Sequence, residues 1–299
     1  MKIETFPTRE AWLAARRLGI GGSDVPAILG SSPYRTPLQT WADKRGLAED
    51  DAVSYSLRRG HHMEPLLASE LAAQANVLVH PNAHAHPLVI GAEPWMRYSP
   101  DAFGREADGT RVLCEFKSHP RGASDWREGC PPHVQDQVQW GMYVCDLPRA
   151  YVAVDLGTEA NWARVERDPA WIEANLPKLR EFWTLVETET PPEAVGDDLG
   201  VLKRLYPREQ SGLTVALDGR FLDLRWEMDQ LDAQLKTLTE RRDDLKAQIV
   251  AEMKDAECAM LPDGSGWRLR EEKRPRMVRD PEGGESSSRV LRAFARKEK

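Results

Sequence analysis

Across residues 76–155 the hydrophobic residues stop recurring every three or four positions and gather in short runs, and this change of period constrains the fold more than any other feature. The runs 77–79, 87–90, 96–99, 111–117 and 150–155 are rich in β-favouring side chains and are separated by Pro, Gly or Asp clusters, as short strands are. Between the last two runs, Val134, Val138 and Met142 recur at helical spacing over residues 132–145. A meander of strands, a crossing helix and a further strand predict an α/β or α+β fold, with a central mixed sheet flanked by helices. Residues 168–186 predict one more helix on that sheet.

Upstream, residues 10–46 read as helical with a punctuated middle. Gly21-Gly22-Ser23-Asp24 forms a turn feeding a capped helix, and Pro26 falls in the first turn, where its missing N–H costs little. A helix starts at Pro37, a polar stretch covers residues 46–56, and a helix over residues 63–75 places Glu64 near its start. Downstream, Pro191-Pro192 and the acidic Gly196-Asp197-Asp198 read as a boundary, giving a core over residues 1–195 and an accessory region over residues 196–299. In that region Leu224, Leu231, Leu238 and Leu245 recur every seven residues, with Met228, Leu235 and Ile249 in companion positions and Arg242 interrupting them. The seam predicts a long helix over about residues 222–254 that packs on a partner. A hairpin over about residues 258–270 and a basic tail, flexible over residues 283–288, complete the chain.

The formal net charge of −7 excludes a protein that coats nucleic acid through bulk positive charge. The charge is uneven: residues 168–200 hold eight acidic and two basic side chains, whereas residues 267–299 hold 11 basic and six acidic ones. That distribution leaves room for a local basic path. No apolar run reaches the roughly 18 residues that a bilayer span requires, and the first ten residues lack a signal pattern, so a soluble, cytoplasmic protein with no membrane contact is expected. Cys114, Cys130, Cys145 and Cys258 have no CxxC spacing and are expected to be reduced.

The densest chemistry lies in Ser99-Pro100-Asp101 and, after thirteen residues, Glu115-Phe116-Lys117. On a strand, Glu115 and Lys117 share a face while Cys114 and Phe116 take the other. A turn at residues 105–109 would bring Asp101 beside Glu115. Two adjacent carboxylates call for a cation or a shared proton, and a hard divalent ion satisfies both, with the backbone carbonyl of Phe116 as a third oxygen. Lys117 could then orient the attacking water or neutralise charge on a phosphate. The bland alternative is a surface hairpin with a Glu/Lys pattern. Glu64 reads either as a third carboxylate or as an acid favoured by the helix dipole. Gln137 reads as a phosphate or water ligand, or as part of a solvated face with Gln135 and Gln139.

The segments Arg16-Arg17-Leu18-Gly19-Ile20-Gly21-Gly22-Ser23-Asp24, residues 60–65, Ser99-Pro100-Asp101, Glu115-Phe116-Lys117-Ser118 and Gln137-Val138-Gln139 stand in an order that resembles the YqaJ viral recombinase family. That family includes the phage lambda-type exonucleases within the PD-(D/E)xK nuclease superfamily. The resemblance spans residues 11–154 and implies a restriction-endonuclease-like core. It implies metal ligation by Glu64, Asp101 and Glu115, a catalytic role for Lys117, and a helix-borne glutamine at Gln137. It also implies that Arg16, Ser23 and Ser99 hold a 5′-terminal phosphate, with Arg17 an equally basic neighbour. Gly21 and Gly22 would allow close backbone approach to that anion, and a helix N-terminus after Ser23 would supply donors.

The function so implied is a Mg²⁺-dependent phosphodiester hydrolase, with Mn²⁺ as a substitute, which resects duplex DNA from the 5′ end and leaves 3′ overhangs for phage-type recombination. The implied partners are duplex DNA ends, further copies of the chain in a trimer, and a single-strand annealing recombinase, in a bacterial host carrying a phage or prophage. A restriction-like or structure-specific endonuclease and a catalytically silent end-binding or assembly protein are the competing readings. His61, His62, His84, His86 and His133 raise the question of zinc, but no third or fourth ligand has the usual spacing. Trp140, Trp171 and Trp183 read as core residues. For the accessory region, clamping DNA and docking a partner both remain open.

Overall fold

The computed structural model describes residues 2–48, 54–81, 86–120, 122, 124–127, 129–208, 211–275 and 285–294. The chain forms two compact units, residues 1–210 and 211–299. The first begins with β1 (Lys2–Thr5), α1 (Arg9–Arg17), α2 (Val25–Leu29), α3 (Pro37–Lys44) and α4 (Tyr55–Ala75). Next come β2 (Leu78–Pro81), β3 (Pro87–Ile90), β4 (Arg97–Tyr98), β5 (Ala102–Arg105), β6 (Arg111–Ser118), α5 (Pro132–Cys145), β7 (Arg149–Asp155), β8 (Ala160–Glu166), α6 (Pro169–Glu187) and α7 (Leu199–Leu205).

Helix starts follow local chemistry. Thr8, Thr36, Ser54 and Asp168 each accept an N–H of the first turn with their side chains, at 2.8–3.2 Å. The main sheet has the order β2-β5-β6-β7-β8. It is mixed, because β6 and β7 pair in parallel across the α5 connection while the other pairs are antiparallel. A smaller antiparallel sheet, β1-β3-β4, lies beside it in the sequence order.

The two faces of the main sheet bury separate cores. Leu113, Ala150, Val152 and Val154 pack with α5 and α6, a cluster that also holds Trp140. Val112, Cys114, Phe116, Tyr151 and Ala153 pack with Leu67 and Leu71 of α4. The Trp140 indole N–H lies between the carbonyls of Ile20 and Arg97, at 3.2 and 3.1 Å, which fastens the glycine loop and β4 to α5. Trp171 and Trp183 pack partly buried against the same core. Cys114, Cys130 and Cys145 are buried, Cys258 is exposed, and none is bonded to another.

Several sequence expectations need correction. Helix α4 starts at Tyr55, so Glu64 lies in its interior, and the helix dipole gives no reason for an acid there. Residues 102–105, ahead of the expected turn, form β5, and neither it nor β8 was expected as a strand. The boundary falls after residue 210 rather than 195, because Asp198 and Val201 are buried in the first unit and Thr36 donates its hydroxyl to Asp198.

The second unit holds α8 (Arg220–Met253), β9 (Cys258–Met260), β10 (Gly266–Pro275) and β11 (Glu285–Phe294), with sheet order β11-β10-β9. The expected hairpin is therefore a three-stranded sheet, and residues 285–288 are paired strand rather than flexible tail. Met253 and Leu269 are buried, while Leu224, Leu231, Leu238 and Leu245 of the heptad seam stay exposed. Residues 276–284 and 295–299 of the basic tail lie outside the described residues. No described helix is long and apolar enough to cross a membrane.

Candidate active site

Strand alternation sets the site. Residues 112, 114 and 116 of β6 serve the α4 core and Leu113 the α5 core, so Glu115 and Lys117, in phase with Leu113, meet α5. Glu115 is 3% exposed and is the hub. Its Oε1 accepts from Lys117 Nζ at 2.8 Å and from Gln137 Nε2 at 2.5 Å, while Oε2 accepts the Tyr98 hydroxyl at 2.7 Å. Lys117 Nζ also donates to Gln137 Oε1 at 2.9 Å, closing a ring of three side chains from a strand and its crossover helix.

Antiparallel pairing of Ala102 with Cys114 brings Asp101 level with Glu115. Asp101 Oδ2 accepts the Phe116 N–H at 2.7 Å. Burial pushes the Asp101 carboxyl well above the usual carboxylate range, and the charge of Glu115 and, more weakly, that of Glu64 add to the rise against Lys117 and the Phe116 amide. Burial works against the Lys117 ammonium, but Glu115 and Asp101 outweigh it and hold its pKa above the ordinary lysine value. Lys117 is thus a fixed positive charge. The Tyr98 phenol lies well above its ordinary range, through burial first and the Glu115 charge second, so it remains a donor.

One cavity of about 550 Å³ is lined by Glu64, Asp101, Glu115, Phe116 and Gln137 and by Arg16, Ser23 and Ser99. Arg16 donates to Ser23 Oγ at 2.9 Å, and its guanidinium lies 4.6 Å from the centre of the Trp12 ring. The Trp12 indole N–H donates to Ser99 Oγ at 3.2 Å. These four side chains form one connected patch within the cavity that holds the carboxylates. Gly22 must be glycine here, since a Cβ would sit 2.4 Å from the Tyr98 ring.

Three expectations change. Arg17 is absent from the lining and pairs with Asp43 at 3.5 Å, so it leaves the anion patch to Arg16. Helix α2 has only five residues and the Gly21 N–H is taken by the Asp24 carboxylate at 2.7 Å, so a helix end does not supply the donors expected there. Glu64 is hydrogen-bonded to His61 Nδ1 at 2.9 Å, and among the described residues no three His, Cys, Asp or Glu side chains converge as a metal cluster. Asp101 and Glu115 are therefore the near pair, with Glu64 set back on the same cavity. Of the histidines raised for zinc, His86 lies tilted against Trp12, His133 meets Tyr34 edge-on, and His84 lies outside the described residues.

Sequence reading missed Trp12, Tyr98, the buried Asp24–Lys44 ion pair, and the Arg59–Asp155 ion pair at 2.8 Å that ties α4 to the end of β7. Trp12 had a usable signal, since Trp12 and Arg16 are four apart on a helix and share a face. Tyr98 had none, being one more apolar strand residue.

Comparison with known proteins follows the same stretch of chain. Residues 11–148 match the family model described as the YqaJ-like viral recombinase domain. All nine side chains considered above as candidate site residues, from Arg16 to Gln137, fall inside the matched segment. A curated relative, the "Uncharacterized protein YqaJ" of Bacillus subtilis (strain 168), is 27% identical over 263 residues, covering 85% of this chain and 81% of the relative. Solved structures similar to this chain include an alkaline exonuclease, LHK-Exo from Laribacter hongkongensis, at 18% identity and a TM-score of 0.49 over 66% of this chain and 98% of that one. A phage-related exonuclease from Haemophilus somnus 129PT is similar at 9% identity and a TM-score of 0.41, over 57% of this chain and 94% of the other.

Proposed function

We propose that the protein is a Mg²⁺-dependent deoxyribonuclease with a PD-(D/E)xK core that resects one strand of duplex DNA from its 5′ end, releasing mononucleotides and leaving a 3′ overhang. The observation that carries this reading is the shared cavity, in which an Asp101/Glu115 pair braced by Lys117 and Gln137 opens onto the Arg16/Ser23/Ser99 patch. A carboxylate pair alone would suit many hydrolases. An anion patch in the same cavity suits a substrate with a second, terminal phosphate.

The donor set fits a hard divalent cation. It consists of oxygens, from Asp101, Glu115 and the Phe116 carbonyl, with Glu64 available once it leaves His61, and no thiolate or imidazole is needed. Burial first and the Glu115 charge second raise the Asp101 pKa, and a cation between the two carboxylates would offset both. Bound there, Mg²⁺, or Mn²⁺ in its place, supplies positive charge that polarises the scissile phosphate and eases deprotonation of water. Lys117 keeps its proton and presents Nζ beside Glu115, where it neutralises charge developing on the phosphate. Gln137 uses both ends of its amide, accepting from Lys117 and donating to Glu115, so neither group can swing away. Arg16, Ser23 and Ser99 hold the terminal phosphate and set the register for each cut.

Lys117→Ala should reduce release of acid-soluble nucleotides from 5′-phosphorylated linear duplex by at least about a hundredfold while DNA binding persists. Wild-type turnover in that variant would overturn the site. Cleavage of covalently closed circles would favour the endonuclease reading, and no Mg²⁺-dependent release at all would favour an end-binding protein. A processive enzyme of this kind acts in the bacterial cytoplasm from a phage or prophage, as a trimer that encloses the duplex and hands the overhang to an annealing recombinase. In the second unit, the stretch from residue 267 to 299 holds 11 basic and six acidic residues, which supports contact with phosphates over docking of a protein.

A further inference from the structure

Below the anion patch lies a buried ion pair to which the proposed chemistry gives no part. Asp24 and the last residue of α3, Lys44, have side chains only 3% exposed, and the ammonium meets the carboxylate at 2.6 Å. Asp24 also accepts the Gly21 N–H at 2.7 Å, and Lys44 donates to the Arg16 carbonyl at 3.3 Å. One ion pair therefore joins the two stretches of backbone that carry Arg16 and Ser23. Stability is a poor reason for such a pair, because removing two charges from water offsets most of their attraction.

Its charge balance matters more. Asp24 lies within the electrostatic reach of Arg16 as well as Lys44; burial raises its carboxyl pKa, and the two cations with the Gly21 amide bring it below the ordinary value. Without the ammonium, a full negative charge would sit beneath a site meant for phosphate and compete for the Arg16 guanidinium. With it, Arg16 is left to Ser23 and the cavity.

We propose that Asp24 and Lys44 are a positioning pair for the terminal-phosphate patch, fixing the Gly21–Ser23 loop against the end of α1 while cancelling the charge that would draw Arg16 away. This rests on the reading of Arg16, Ser23 and Ser99 as the 5′-phosphate site. The test is the ratio of Mg²⁺-dependent degradation rates on 5′-phosphoryl and 5′-hydroxyl linear duplexes, for the wild type, Lys44→Met, Asp24→Asn and the double variant. Wild type should prefer the phosphorylated end. Lys44→Met should lose about tenfold or more of that preference, the scale of one lost charge-assisted hydrogen bond, whereas Asp24→Asn should keep most of it. The double variant, neutral and close in shape, should regain most of what Lys44→Met loses. A merely structural pair would lower the rates on both ends together and leave the ratio unchanged in every folded variant.

Full preference in Lys44→Met, or no recovery in the double variant, overturns the pair's role and leaves the phosphate site standing. If Lys44→Met does not fold, the folded double variant decides: retained preference supports charge cancellation, and lost preference overturns it. A wild type indifferent to the 5′ phosphate overturns the phosphate site and, with it, the positioning pair.

Discussion

Tyr98 is fully buried yet uses its hydroxyl on the least exposed carboxylate of the site. Its ring also closes on Gly22 and Gly141, where a Cβ would lie 2.4 and 2.5 Å from ring atoms. Tyr98→Phe keeps that packing and removes one donor from Glu115, so turnover should fall about tenfold with DNA affinity nearly unchanged. Turnover and circular-dichroism melting measured together separate this from misfolding; full turnover would show that Glu115 is positioned by Lys117 and Gln137 alone. At this scale the sequence was most legible where periodicity fixes direction. The two-residue period of β6 put Glu115 and Lys117 on one face, and the hairpin spacing put Asp101 beside them. It was illegible where neighbours compete, as for Arg16 and Arg17, because their difference depends on which one Asp43 captures from α3.

At the scale of elements, the helical and strand periods around the crossover read correctly, and the misreadings share a cause. Gly60 and Pro65 lie inside α4 but carry the signals of breaks, so the helix seemed to start late. Pro65 only forgoes one N–H to the His61 carbonyl, while Leu67 and Leu71, buried on the sheet, hold the helix together. Edge strand β8 packs Ala163 and Val165 on one core and Ala160 and Trp162 on the other, while the exposed Asn161, Arg164 and Glu166 break up its apolar pattern. Strands β9 and β10 were legible as a hairpin, but β11 opens on Glu285 and three serines after Gly283-Gly284, a composition that reads as a flexible stretch. If the basic C-terminal stretch contacts DNA, Arg268→Ser with Arg270→Ser should weaken binding across sequences alike and reduce the salt slope of log K by about two. An unchanged slope would return the second unit to a protein partner.

For the whole molecule, the net charge of −7 conceals one carboxyl, that of Asp101, that is costly to ionise. The sign is definite. Asp101 has a raised pKa in the fold, so in the absence of cation its ionisation destabilises the protein as pH rises from the ordinary 3.8 through the raised value. A divalent cation should reverse this, adding about 2.7 kcal/mol at a hundredfold excess over its dissociation constant. Calorimetry at neutral pH should show melting of the first unit move upward with Mg²⁺ in the wild type and scarcely at all in Asp101→Asn. Equal shifts in both would place the cation elsewhere. Composition could exclude a DNA-coating protein, but it could not show where compensating charge lies, since that is a property of contacts.

The parallel pairing of β6 with β7 has a consequence for how activity is acquired. Asp101 and Glu115 belong to one hairpin and can meet by closing a short loop, whereas Gln137 reaches Glu115 only after α5 has been laid across the sheet and β7 has docked. The acidic half of the site is thus local in the chain and the half that restrains it is not, so a nascent chain acquires its charges before it acquires their control.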